Sequence, residues 1–243
     1  MAWSGLQTAL SMIYPARCLT CGKTVDTDFG LCGSCWRDTS FVGGTICDGC
    51  GIQLLGVENN ELVRCDACMA EPPPWKQGRS ALIYRDTGRK LVLALKHGDR
   101  QEIAKPAALW MANAARGIMR DDMIILPIPL HWLRLLKRRY NQSALLAKAL
   151  SGQSGLPWNP DLLLRSQQTQ SLGGLGRAAR YQTLENAITV SPGKRHRIVG
   201  RPVLLIDDVM TTGATLGAAT RACLDAGSGP VRVLTLARAA KDT

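Results

Sequence analysis

The chain has 243 residues, 46% of them hydrophobic and 20% charged, with a formal charge of +11. That balance excludes a fibrous repeat and a disordered tail, and the length suits one large domain or a small module beside a medium one. No apolar run approaches the ~20 residues of a membrane span, and the opening MAWSGLQTALSMIYPARC lacks a basic start followed by a long apolar stretch, so a cytoplasmic, reducing location is expected.

Trp3, Leu6, Leu10 and Ile13 fall at helical spacing and predict a few helical turns capping the cysteine-rich stretch beyond them. Between residues 18 and 68 the chain is Gly-punctuated and carries eight of its nine cysteines as four CxxC pairs: Cys18/Cys21, Cys32/Cys35, Cys47/Cys50 and Cys65/Cys68. A CxxC turn lets two thiolates converge on one tetrahedral ion, and two such turns complete a four-cysteine site, so four pairs predict two structural zinc ions. The rivals are an iron–sulfur centre, a redox dithiol or disulfides. Disulfides conflict with a reducing compartment, and a catalytic CxxC calls for a single pair on a βαβ scaffold. Sequential ribbons (Cys18, Cys21, Cys32, Cys35, then Cys47, Cys50, Cys65, Cys68) are the simplest pairing, and a cross-braced one remains open. A closed four-thiolate shell has no position for a substrate, so these ions are expected to build structure.

Glu71-Pro72-Pro73-Pro74-Trp75 reads as a stiff spacer. It divides a zinc-ribbon unit over 1–75 from a second unit over 76–243. The charge divides there too: four Lys/Arg (Arg17, Lys23, Arg37, Arg64) against eight Asp/Glu before the boundary, and 26 against 11 after it. The basic surplus therefore belongs wholly to the second unit and favours a phosphate-rich partner, whereas the acidic first unit suits a basic protein partner.

Strand and helix patterns alternate after the spacer. Strands are predicted over 80–84, 123–128, 203–206 and 231–236, and helical stretches over 91–95, 107–119, 140–150 and 215–226, with Cys223 as core packing on the last. The fold class implied by this order is α/β, with a doubly wound, mainly parallel sheet. Lys96-His97-Gly98-Asp99 reads as a helix C-terminus with Gly98 as a left-handed cap. Lys137, Arg138 and Arg139, followed by Asn141 and Gln142, read as a basic loop ahead of a helix, suited to a pyrophosphate or a nucleic-acid backbone. Residues 165–186, starting at Arg165, are polar and rich in small residues, as in a mobile flap.

The sharpest signal is Val203-Leu204-Leu205-Ile206 followed by Asp207-Asp208-Val209-Met210 and Thr211-Thr212-Gly213-Ala214-Thr215. Branched apolar residues make a buried parallel strand, at whose carboxyl end open α/β sheets bind ligands. Two carboxylates there can accept from the two hydroxyls of a ribose. The next turn offers threonine hydroxyls, a glycine a phosphate can approach closely, and the N–H groups of a helix N-terminus.

This stretch resembles the phosphate loop of the type I phosphoribosyltransferases, and with the cysteine pairs and the PPPW spacer the whole chain resembles the ComF/GntX family of double-zinc-ribbon proteins. The resemblance implies that Asp207 and Asp208 meet the ribose hydroxyls of phosphoribosyl pyrophosphate (PRPP), and Thr211, Thr212, Gly213, Ala214 and Thr215 its 5′-phosphate. It also implies a role in handling imported single-stranded DNA during natural transformation. The alternatives are a magnesium-dependent phosphoribosyltransferase and a zinc-ribbon adaptor for a protein partner. The flap departs from the family pattern: Gln167 stands for a second Arg, Leu172 for a Gln and Thr183 for an Asn. Fewer cations there weaken the transferase alternative, because a leaving pyrophosphate needs charge stabilisation.

Overall fold

The computed structural model describes residues 15–27, 30–56, 62–165 and 187–239. The expected helix through Trp3 and Ile13 and all of the expected flap except Arg165 lie outside those residues.

Two five-residue helices, α1 (Gly33–Arg37) and α2 (Asp66–Ala70), each follow a cysteine of the ribbon region. Beyond the spacer come β1 (Gln77–Ile83), α3 (Asp86–His97), α4 (Ala104–Ala114), β2 (Ile124–Pro127), α5 (Trp132–Arg138) and α6 (Gln142–Ser154). They are followed by β3 (Leu163–Arg165), β4 (Ile188–Val190), β5 (Val203–Met210), α7 (Ala214–Asp225) and β6 (Val231–Arg238). The main sheet has the order β1-β6-β5-β2, and every pairing in it is parallel. β3 and β4 form a separate antiparallel pair.

Both faces of the main sheet are covered, which is why β2 and the first half of β5 are continuous apolar runs rather than alternating ones. On one face Leu91 and Leu95 of α3, Met111 of α4 and Leu146 and Leu150 of α6 pack with Leu204, Ile206, Leu234 and Leu236. On the other, Leu216, Ala219 and Cys223 of α7 pack with Val203, Leu205 and Val233. The doubly wound class predicted above is thus the one found, and Cys223 is core, its thiol pushed up to about 12 by burial.

Neither outer strand is left open. Val42 N–H donates to Ala81 O at 3.0 Å and Ile83 N–H to Ser40 O at 2.8 Å, so the ribbon region supplies a partner to β1. Further along the same strand, Gly78 N–H donates to Asp48 O at 2.8 Å. On the opposite side Ile125 N–H donates to Pro157 O and Asn159 N–H to Ile125 O. Covered edges have no free ladder to offer another chain.

Candidate functional site

The eight ribbon cysteines gather in sequence order: Cys18, Cys21, Cys32 and Cys35 in one set, Cys47, Cys50, Cys65 and Cys68 in the other, with the four sulfurs of each set within 4.8 Å of one another. Backbone N–H groups help to orient the sulfurs, Cys32 N–H pointing at Cys18 Sγ at 3.3 Å and Cys65 N–H at Cys47 Sγ at 3.2 Å. Four converging thiols with amide donors to sulfur fit a structural zinc ion at each set, and they fit the sequential pairing. The two sets dock on different parts of the domain. Near the first, Trp36 and Phe41 form an aromatic cluster with Trp110 of α4. The second joins the core on the α7 face, where Cys47, Cys50 and Cys68 pack with Trp75, Met210 and Ala214.

β5 runs four residues beyond the predicted strand, because Asp207 to Met210 continue in register with Thr235 to Arg238 of β6. Asp207 and Asp208 therefore belong to the ladder, near its carboxyl end. Asp207 Oδ1 accepts from Ser143 Oγ at 2.9 Å and from Asp208 N–H at 2.9 Å. Desolvation, reinforced by the charge of Asp208, pushes the Asp207 carboxyl up to about 7. Asp208 is only 4% exposed; its Oδ1 pairs with Lys96 Nζ at 3.2 Å, while Oδ2 is buried and has no hydrogen-bond partner among the described residues. A buried carboxylate oxygen left unsatisfied is costly unless a ligand or cation supplies its partner.

The turn after β5 leads straight into α7. Gly213 is its N-cap at φ +81, a left-handed conformation that suits glycine, and Thr212 Oγ1 accepts from Ala214 N–H at 3.4 Å. α7 starts one residue earlier than predicted, so its first turn follows the strand that carries the two aspartates after only a short turn.

The basic stretch differs from its expected form. Lys137 and Arg138 lie in the last turn of α5, and Arg139 is its left-handed C-cap, so these cations sit at the end of a short helix rather than in a loop. No α5 residue is buried, and its Trp132, Leu133, Leu135 and Leu136 are exposed. Asn141 uses its amide on the chain itself: Oδ1 accepts from the N–H groups of Ser143 and Ala144, and Nδ2 donates to Ile128 O. Gln142 is buried. Gly98 has φ −103 and is not left-handed; Asp99, at φ +50, takes that conformation instead. The glycine is required for another reason, since a Cβ on it would meet Ala94 O at 2.9 Å.

Lys96, His97, Asp99, Arg134, Lys137, Arg138 and Arg139 line a cleft of about 450 Å³. Partial burial and then Arg138, Lys96 and Lys137 hold the His97 imidazole below its usual range, so it adds no charge to theirs at neutral pH. Arg165, at the end of β3, lies within electrostatic reach of Arg134 and Asp207. The fold thus brings Asp207, Asp208, the Thr211–Thr215 turn, Arg165 and the basic stretch to one end of the sheet. Sequence reasoning missed Lys96, read only as part of a helix end, and Ser143; they owe their places to how α3 packs on β1 and β6 and how α6 packs on β5.

These features define a class: a double zinc ribbon joined to a parallel α/β domain whose last crossover carries an acidic pair and a threonine-glycine turn. Residues 9–74 match the double zinc ribbon domain. The DNA utilization protein YhgH of Shigella flexneri is 29% identical over 216 residues, covering 86% of this chain and 91% of that protein. Competence protein F of Haemophilus influenzae is 28% identical over 229 residues, covering 92% and 97%. Among solved structures, a glutamine phosphoribosylpyrophosphate amidotransferase from Bacillus subtilis aligns at 15% identity with a TM-score of 0.38, over 58% of this chain and 30% of that one. The chain is thus similar over most of its length to proteins named for DNA utilization and for competence, and its first part to the double zinc ribbon domain.

Proposed function

We propose that the loop from Asp207 to Thr215 holds a 5-phosphorylated ribose of the PRPP type, and that the neighbouring basic surface takes single-stranded DNA. The observation that carries this reading is Asp208 Oδ2, buried beside Lys96 with no hydrogen-bond partner among the described residues, on the strand that leads into the turn capping α7. A ribose hydroxyl or a magnesium ion bound to the ligand supplies the missing partner, and the first turn of α7 receives the phosphate. Internal DNA nucleotides have no vicinal diol, so an acidic pair is a poor seat for them. The strand is better matched by Lys137, Arg138 and Arg139, with Trp132, 60% exposed on α5, as a stacking surface. Tyr140 serves this less well, because its hydroxyl donates to Leu95 O.

In this reading residues 1–75 form the zinc-holding unit and 76–243 the ligand-holding one, in the cytoplasm, where thiols stay reduced for zinc. A relative named for DNA utilization and another named for competence support the DNA role. The second reading, transfer from magnesium-bound PRPP to an acceptor, draws on the same orphaned carboxylate oxygen, and turnover is its test.

Two titrations decide between ligands. Fluorescence anisotropy with a labelled single-stranded oligonucleotide at two ionic strengths is expected to show affinity falling steeply with salt, and falling again in K137A/R138A/R139A. Calorimetry with PRPP and magnesium is expected to give heat that this triple variant largely keeps. Salt-independent oligonucleotide binding, or none, removes the DNA role.

A further inference from the structure

The PPPW segment does more than separate two units. Trp75 is 4% exposed, and its Nε1 donates to Gly49 O at 2.6 Å, inside the Cys47–Cys50 knuckle. Gly49 itself is pressed onto the second cysteine set: a Cβ there would meet Cys68 Sγ at 2.9 Å and Pro73 Cγ at 3.5 Å. The far side of the indole lies on the anion turn, where a Cβ on Gly213 would meet Trp75 Cη2 at 2.8 Å. One ring therefore touches both the wall of a metal site and the residue that caps α7. The knuckle is fixed in turn to the sheet, Asp48 pairing with Arg79 at 2.6 Å and Gly51 lying against the Arg79 backbone. From the other side Arg238 Nη1 donates to Met210 O at 3.0 Å and to Thr211 O at 2.6 Å. The turn is thus held between Arg238 and Trp75.

We infer that Trp75 is a positioning residue that links the Cys47/Cys50/Cys65/Cys68 site to the anion turn at Gly213, so that occupancy of this second metal site sets how well the turn is ordered for phosphate. The first cysteine set contributes nothing to the link, since its aromatic neighbours pack on α4. A wide flat side chain is needed at position 75, because the ring must reach a carbonyl at one edge and a glycine at the other. Phenylalanine reaches neither. This inference rests on the reading of the turn as a phosphate site only for its effect on ligand; the link itself is independent of it.

The test uses the full zinc-loaded chain and hydrogen exchange read peptide by peptide. In Trp75→Phe, amides of residues 211–217 are expected to exchange about tenfold faster while those of β2 keep their protection and the protein still holds two zinc ions. PRPP affinity, measured by calorimetry with magnesium, is expected to drop by about tenfold as an unordered turn must be ordered on binding. Cys50→Ser is expected to reproduce the faster exchange, and Cys21→Ser, which removes the first site, to leave residues 211–217 as they were. Unchanged exchange over 211–217 in Trp75→Phe, or an equal rise in Cys21→Ser, overturns the link. A wild type that shows the Trp75-dependent exchange yet binds no PRPP removes the ligand reading and leaves the link standing.

Discussion

Asp207 and Asp208 are neighbours in sequence with different surroundings, and the difference can be read by titration. The Asp207 carboxyl is raised from 3.8 to about 7, chiefly by desolvation. Between those values the folded chain binds a proton that the unfolded chain has released, so this stability is fully present below about pH 4 and lost as pH rises through about 7. Asp207→Asn, which cannot ionise, is therefore expected to melt above wild type at pH 8, with the gap narrowing as pH falls to 5. A gap that widens toward pH 5 would contradict the assignment. Asp208 depends instead on Lys96. Lys96→Met leaves a buried carboxylate uncompensated and is expected to cost roughly 2–3 kcal/mol, discounted from a fully buried pair because the lysine is partly exposed. Adding Asp208→Asn is expected to recover most of that loss in denaturant unfolding.

Several elements were legible because their sequence signal is local. Val203-Leu204-Leu205-Ile206 could only be a buried strand, and the glycine and threonines after it announced the α7 N-terminus. Other elements were hidden because their reason is tertiary. Asp207 to Met210 extend β5 only because β6 lies alongside, and α5 forms without any buried residue. Trp75 read as the end of a spacer, since nothing in PPPW reports the carbonyl at Gly49 or the glycine at 213. At this scale Gly213→Ala is the informative change. A left-handed φ costs an alanine about 1 kcal/mol, and the contact with Trp75 adds to it, so a loss of roughly 2 kcal/mol is expected in denaturant melts. Pairing it with Trp75→Ala is expected to remove the steric share and leave the backbone share.

For the molecule as a whole, the cysteine-rich region closes the sheet as well as gathering two four-cysteine sets fit for zinc. Residues 40–42 and Asp48 satisfy backbone groups of β1 that would otherwise face another chain. Small units built on four-cysteine zinc sites generally lose their fold with their metal. Treatment with a strong chelator is therefore expected to uncover β1 and raise light scattering at temperatures where the zinc-loaded chain stays monodisperse. Loss of metal without association would show that the edge is covered by something other than the folded ribbon.

The most direct measurement is calorimetric titration of wild type and Asp208→Asn with PRPP and magnesium at pH 8. The account predicts saturable heat for wild type and binding at least about tenfold weaker for the variant, because the partner atom for the sugar or its metal is gone. No heat in either protein, or equal affinity in both, would contradict it.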